Sequence, residues 1–313
     1  MRVVFIGTGD IGVPVLRWLI ESEVHELGGI VTQPDRPVGR DQRIQPPPIK
    51  AAAAGLCIPV FQPERIKREE AVREIQALAP DVIVVMAYGQ ILPSAVLETP
   101  RMACLNLHAS LLPRHRGAAP IQAAIAVGDG ESGITVMYMD EGLDTGDILL
   151  MSRLVVAMDE TGGSLHDKLA ELAPMALADA LQQLQSGTAP RVPQDGDEAT
   201  YAPKLEREHG EIDWSQPAEA IERKIRAFDP WPGAYTTLQD DNGRPRKLKI
   251  FKAAVDRENC HGSRLITATS AHLKIGASDA ALQLREVQLE GKKRMDAAEL
   301  LRGHLWIGSA KAL

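Results

Sequence analysis

Cysteine is scarce in this chain. Cys57, Cys104 and Cys260 are the three present in 313 residues, odd in number and far apart. Small folds stapled by disulfides need an even, closely set framework, so that class is excluded and reduced thiols are expected. Long apolar runs are missing too: none approaches the roughly 18 residues that read as a membrane span. No basic segment leads into a short apolar run with a cleavage site, and Met1 runs straight into a strand-like segment, which leaves no room for a transit peptide. A cytoplasmic protein without membrane contact is the expectation. Positive charge is also in deficit, with 35 Lys+Arg against 42 Asp+Glu and a net charge of −7. That balance argues against general nucleic-acid binding. The deficit is uneven: residues 1–205 hold 17 Lys/Arg against 26 Asp/Glu, net −9, and residues 206–313 hold 18 against 16, net +2. A nucleic-acid partner would have to be met by local basic patches.

Several kinds of site are lacking as well. Cys104, His108 and His115 lie close together in sequence, but no second ligand pair has metal spacing, and no metal is expected. Ser110 stands in no Gly-x-Ser-x-Gly elbow, so a serine nucleophile is not expected. His25, His166, His209, His261, His272 and His304 belong to no constellation, and there is no internal repeat or low-complexity tract.

What remains is a soluble-looking composition, 44% hydrophobic and 25% charged, enough for one large or two smaller domains. Residues 2–6 form a short apolar strand followed by Gly7-Thr-Gly-Asp-Ile-Gly12 and a helical pattern at Ile11, Val15, Leu16 and Leu19. This is formally the dinucleotide fingerprint. The second strand, 27–32, ends in Ile30-Val-Thr-Gln33, without the acid that would bind a ribose about 20 residues on. The glycines serve a tight strand-to-helix turn equally well, and no NAD is expected. Residues 33–50 carry five prolines, which rule out a central strand or helix and predict a long, functional loop. Further apolar strands at 59–61, 81–87 and 103–107 alternate with helices at 49–56 and 66–78. Strands at 133–139 and 148–156 precede a long helix from Ser164 to Gly187. The alternation predicts an α/β domain with a doubly wound, parallel-type, Rossmann-like sheet, whose ligand site lies at the carboxyl ends of the strands. Residues 189–205 are polar and proline-interrupted, as in a linker. After a helix at 217–228, five closely spaced strands between 234 and 289 predict a small β-barrel of the oligonucleotide-binding (OB-like) class. The expected domains are 1–188, a linker at 189–205, and 206–313.

The chemistry concentrates at the end of strand 103–107. Asn106 and His108 are two apart, so on a strand they share a face, where an amide and an imidazole can donate to one developing negative charge. Gly142-Leu-Asp-Thr-Gly146 sets Asp144 between glycines, where a carboxylate can orient or charge the histidine. A lone Asn-x-His is more often structural than catalytic. Arg244, Arg246, Lys247, Lys249 and Lys252 form an acid-free basic run that either tracks a phosphate backbone or guards an edge strand.

Asn106-Leu-His108, Ser110-Leu-Leu-Pro113 with Arg114-His-Arg-Gly117, Ala118-Ala-Pro-Ile-Gln122 and Gly142-Leu-Asp-Thr-Gly146 together resemble the folate-dependent formyltransferases. Ile212-Asp-Trp214 and Ile225-Arg-Ala-Phe-Asp-Pro-Trp-Pro-Gly233 extend the resemblance past residue 200. It implies an N-terminal catalytic domain, a C-terminal tRNA-binding domain, and formyl transfer from 10-formyltetrahydrofolate to an amine. Asn106, His108 and Asp144 would be catalytic, with Ser110, Leu111, Leu112, Pro113 and Tyr88 beside the folate. The implied acceptor is methionyl-initiator tRNA, gripped by Arg36, Arg40 and Arg43 of the 33–50 loop and by Lys247 and Lys249, with the protein a monomer. Asp41 and Gln42 replace the family's more basic run in that loop, and Gly9 stands where the family usually has proline. A related enzyme acting on an amino sugar or other small amine is the alternative, and a noncatalytic nucleic-acid binder on a degenerate enzyme fold is a third possibility.

Overall fold

The computed structural model describes residues 1–39, 41–257, 264–269, 271–310 and 312. Arg40 and Cys260 lie outside them. The chain forms two compact units: Met1–Pro120 with Glu131–Val155 and His166–Pro203, and Ile121–Gly130 with Val156–Leu165 and Lys204–Leu313.

The first unit is built on strands β1 (Arg2–Gly7), β2 (Glu26–Val31), β3 (Arg36–Val38), β4 (Arg43–Gln45), β5 (Val60–Phe61), β6 (Val82–Met86), β7 (Ala103–His108), β8 (Arg116–Gly117), β9 (Glu131–Tyr138), β10 (Ile148–Val155) and β11 (Tyr201–Ala202). Its helices are α1 (Val13–Glu21), α2 (Pro48–Ala52), α3 (Glu69–Ala77) and α4 (Ser94–Leu97); α5 (Pro120–Val127) and α6 (Gly162–Ser186) belong to both units. Seven strands make the main sheet in the order β10-β9-β7-β6-β1-β2-β5. Pairing from β7 through β5 is parallel, and β9 and β10 are added antiparallel. β6 is buried at every position, as its unbroken run of Val, Ile and Met requires of a strand covered on both faces. The strand order reverses between β1 and β6. Ligands of open α/β sheets bind at such a switch point, beyond the carboxyl ends of the strands.

The fingerprint glycines have a steric task here. A Cβ at Gly7 would stand 2.8 Å from the carbonyl oxygen of Met86 and 2.7 Å from the Phe5 ring, so the β1 turn can pass β6 only without a side chain. The 33–50 stretch is more ordered than a plain loop. β3 and β4 pair antiparallel as a separate, exposed ribbon, and α2 starts with Pro48 in its first turn. Proline barred this segment from the main sheet. It did not bar a two-stranded ribbon, where Pro37 faces Ile44 in an exposed pair. The segment expected as a linker is partly built in. Val192 bridges Ile148, and β11 pairs in parallel with β8.

The second unit carries α7 (Ala218–Ala227), β12 (Ala234–Gln239), β13 (Pro245–Asp256), β14 (Ile266–Ala268), β15 (Leu273–Gly276), β16 (Ala281–Leu289), β17 (Met295–Asp296) and α8 (Ala297–Gly303). Its sheet is antiparallel and curled as a half-barrel, in the order β12-β13-β16-β15-β14, with β17 on β16. Trp214 is fully buried in its core and donates from Nε1 to Thr236 Oγ1 at 3.0 Å, which satisfies the one polar atom of the ring. β13 lies between two partners and is not an edge strand, so the edge-guarding reading of its lysines falls.

Candidate active site

β7 delivers Asn106 and His108 two residues apart at its carboxyl end, and both reach the same carboxylate. Asn106 Nδ2 donates to Asp144 Oδ1 at 3.3 Å, and His108 Nδ1 stands 3.6 Å from Asp144 Oδ2. His108 is 5% exposed, so its ring meets protein on nearly every side. Its Nε2 lies 2.9 Å from the carbonyl oxygen of His115. A carbonyl only accepts, so Nε2 carries a proton there and Nδ1 is the atom turned toward Asp144. Asp144 Oδ2 also accepts from the Gly117 backbone N–H at 2.8 Å. The carboxylate therefore ties the loop after β7 to the loop after β9.

Each loop is braced locally. Thr135 Oγ1, wholly buried on β9, donates to the Ser110 carbonyl at 2.6 Å and accepts from Leu112 N–H at 3.1 Å. Ser110 Oγ donates to the Arg114 carbonyl at 2.6 Å. Asp140 accepts from Gly142 N–H at 3.0 Å and from Thr145 Oγ1 at 2.8 Å, closing the turn that presents Asp144 in a left-handed conformation (φ 54°). A Cβ at Gly146 would lie 1.9 Å from the Tyr138 carbonyl oxygen, which is why the turn needs glycine on that side. Gln194 adds a third brace. Its Nε2 donates to the carbonyls of Asp144 (2.9 Å) and Gly146 (2.8 Å), and its Oε1 accepts from Arg116 Nε (3.0 Å) and Nη2 (2.8 Å). His115 N–H donates to Thr200 Oγ1 at 2.8 Å. Arg116 and His115 stood inside the quoted motif without a role. Gln194, Thr200 and Thr135 carried no sequence signal, because their partners are set by tertiary contacts.

The other expected site residues fall into two groups. Ser110 and Leu112 are buried, and Leu112 packs with Met137 and Ile148. Leu111 and Pro113 are half-buried on the same turn. The Tyr88 ring belongs to the core beside Leu92 and Val96, and burial pushes its hydroxyl up to about 12. Its backbone carbonyl accepts from Thr8 Oγ1 (3.1 Å) and Gln33 Nε2 (2.8 Å). Cys104 is buried with its sulfur 3.8 Å from that of Met139, and burial holds its thiol at about 12, far from the reactive range. Arg36 and Arg43 are exposed on the β3–β4 ribbon, Arg36 donating to Gln33 Oε1 at 2.5 Å and Arg43 lying 3.8 Å from Asp41. Lys247 stacks its ammonium 3.6 Å from the centre of the Tyr235 ring, and Lys249 pairs across from Tyr235. A register shift between Ile250 and Lys252 sets Lys252 opposite Glu286. Among the described residues, no group of three His, Cys, Asp or Glu side chains is placed to hold a metal ion, and no helix is long and apolar enough to cross a membrane.

The signature of the family "Formyl transferase" matches residues 1–181, and that of "Formyl transferase, C-terminal domain" matches residues 204–305. The chain belongs to the formyl transferase family. Relatives named methionyl-tRNA formyltransferase include one from Akkermansia muciniphila, 47% identical over 97% of both chains, and one from Marinobacter nauticus, 46% identical over 97% of this chain and 96% of that one. Among solved structures, WlaRD, a sugar 3N-formyl transferase crystallised with dTDP and 5-N-formyl-THF, superposes with a TM-score of 0.66. It is 16% identical and covers 94% of this chain and 99% of its own. HypX from Aquifex aeolicus with tetrahydrofolic acid gives 0.62 at 19% identity, over 96% of this chain and 47% of that one. At such identities these two report the fold.

Proposed function

We propose that the protein transfers the formyl group of 10-formyltetrahydrofolate to the free amine of methionyl-initiator tRNA. The observation that carries the reading is the convergence of Asn106, His108 and Asp144 in a chain that matches methionyl-tRNA formyltransferases over almost its whole length. An uncharged amine is already a nucleophile. The protein has to hold it against the formyl carbon, stabilise the tetrahedral oxyanion and manage the protons.

In this reading the tasks divide among the three side chains. Asn106 Nδ2 spends one hydrogen on Asp144 and keeps a second to donate to the oxyanion. His108 Nε2 donates to the His115 carbonyl, so His108 serves as the second oxyanion donor in its protonated, imidazolium form, through the Nδ1–H on the side facing Asp144. Asp144 orients that ring edge and takes the proton that the attacking nitrogen releases as the C–N bond forms. When the C–N bond to the folate breaks, a proton must reach the departing nitrogen; His108 gives it from Nδ1 and recovers it from protonated Asp144. The Ser110–Pro113 turn, fixed by Thr135, lies beside these groups and lines the folate through its backbone. Arg36, Arg40, Arg43, Lys247 and Lys249 serve the tRNA.

The test supplies 10-formyltetrahydrofolate with methionyl-initiator tRNA, with uncharged tRNA, and with free amines including amino sugars. Formylation confined to the charged tRNA is expected. Efficient formylation of an amino sugar with none of the tRNA would overturn the reading.

A further inference from the structure

We propose that Gln194 is a positioning residue for Asp144, and that the 189–203 strap is part of the catalytic apparatus and not a passive connection. The proposal rests on the reading of Asp144 as the carboxylate that handles the amine proton. One carboxamide offers two N–H donors and one oxygen with two lone pairs, and Gln194 uses all four. Its two hydrogens go to the Asp144 and Gly146 carbonyls, and its oxygen takes Arg116 Nε and Nη2. The opposite orientation of the amide would face oxygen against two carbonyls and NH₂ against a guanidinium, so the assignment is unambiguous.

The consequence is mechanical. Asp144 holds a left-handed backbone, φ 54°, which a non-glycine residue keeps only where its surroundings fix it. Gln194 fixes it from the backbone side, and Gly117 N–H fixes it from the carboxylate side. Arg116, 6% exposed and adjacent to Gly117, joins the two supports into one frame. The strap is held at both ends, by Val192 against Ile148 and by β11 against β8, with Thr200 accepting from His115 N–H between them. Nothing in this frame besides Asp144 touches the reacting atoms in the proposed mechanism. A displacement on the order of 1 Å in the carboxylate can cost up to about a hundredfold in rate. Gln194 therefore acts on turnover through Asp144.

The experiment compares single-turnover formylation by wild type, Gln194→Ala, Gln194→Glu, Asp144→Asn and the Asp144→Asn/Gln194→Ala double variant. Gln194→Ala should lower the rate at saturation by about ten- to a hundredfold, while KM for tRNA and for folate stays within about twofold. Gln194→Glu keeps an acceptor for Arg116 but cannot donate to the two carbonyls, so it should fall with Gln194→Ala. In the Asp144→Asn background the added loss should shrink to about threefold or less, because the group being positioned is already disabled. Amide exchange at Gly117 should speed up in Gln194→Ala, with β6 unchanged. An undiminished, multiplicative loss in the Asp144→Asn background, or equal loosening of β6, would mean a generic packing role and overturn the proposal. So would wild-type turnover in Gln194→Ala. If Asp144→Asn alone turned over normally, the catalytic reading of Asp144 would fail and take the proposal with it, and that failure is separate because that variant leaves Gln194 intact.

Discussion

At the scale of the residue, the three polar groups at the end of β7 and on the Asp144 turn differ in how replaceable they are. Asn106 offers an amide group with one hydrogen given to Asp144 and one to spare, His108 a ring clamped between the His115 carbonyl and a carboxylate, and Asp144 a carboxylate that also accepts from Gly117 N–H. Removal of a single oxyanion donor typically costs roughly 10²–10³ in rate. Asn106→Ala, His108→Ala and Asp144→Ala are each expected to lower formylation on about that scale or more, measured as kcat/KM with charged tRNA beside a circular-dichroism check of folding. Near-normal turnover in one of them would remove that residue from the mechanism. The pairing of Asn106 with His108 was legible because a strand repeats its faces every second residue, and Asp144 because glycines on both sides mark a turn. The direction of His108 was not legible. Which ring nitrogen remains for the substrate depends on the His115 carbonyl, a backbone atom with no sequence signature.

At the scale of the element, the apolar runs announced the main sheet well. The expected strand 81–87 is observed at Val82–Met86, and the expected helix from Ser164 to Gly187 spans Gly162–Ser186. The two-residue pairing of β8 with β11 was invisible, since it is created by the strap's return and not by local propensity. The β3–β4 ribbon hid behind its prolines, and its neck shows how it is held. Lys50 Nζ reaches both Asp35 oxygens at 2.8 and 2.9 Å and Gln62 Oε1 at 2.7 Å, and Gln62 Nε2 donates to Asp35 Oδ1 at 2.7 Å and to the Gln33 carbonyl at 2.9 Å. Hydrogen bonds from Gln62 and then Lys50 hold the Asp35 carboxyl below its ordinary range. The pair closes the ribbon at its base, so Asp35→Ala is expected to raise KM for tRNA by about two- to fivefold, the scale of a partly exposed ion pair, with turnover at saturating tRNA little changed. An unchanged KM would show that the neck does not position the ribbon. A second link fastens the β1 turn to α6: His166 Nε2 lies 3.2 Å from Asp10, and Nδ1 lies 3.0 Å from Asp167. The Asp10 hydrogen bond is the main cause that raises the imidazole to about 9. A raised folded-state pKa gives stability that is complete below the unfolded value near 6.5 and is lost as pH climbs through about 9. The wild-type excess over His166→Gln in unfolding free energy should thus fade between about pH 6.5 and 9. It should amount to no more than about 1 kcal/mol, because Asp10 is mostly in solvent. A gap between the two proteins that does not vary with pH would rule the link out as a titrating contact.

At the scale of the whole molecule, the charge split shapes how a polyanion can be held. The first 205 residues carry a net −9, and in the proposed reading the exposed arginines of the β3–β4 ribbon are the local basic patch that meets phosphate there. The net +2 from 206 onward includes Lys247 and Lys249 on β13. These two alternate with buried Leu248 and Ile250, so core packing fixes which face of the sheet presents them. Lys252 is drawn to Glu286 by the register shift and is not counted with them. Each duplex phosphate neutralised releases counterions, giving a log–log dependence of affinity on salt of about −0.9 per contact. Replacing both Lys247 and Lys249 with Gln should weaken tRNA binding at low salt. It should also shallow that slope by up to about 1.8 if both lysines touch phosphate, with turnover at saturating tRNA nearly unchanged. Arg36→Ala and Arg43→Ala should each shallow it by up to about 0.9. The measurement is a titration of each variant at four or more salt concentrations beside its saturated rate. Wild-type binding that ignores salt would remove tRNA phosphate as the ligand of either patch. A salt-dependent wild type whose slope survives in every variant would move the contacts to other cations of the chain. The lysine pair is the sharper arm of the test, because Lys247 already rests on the Tyr235 ring and needs little ordering before it can meet a phosphate.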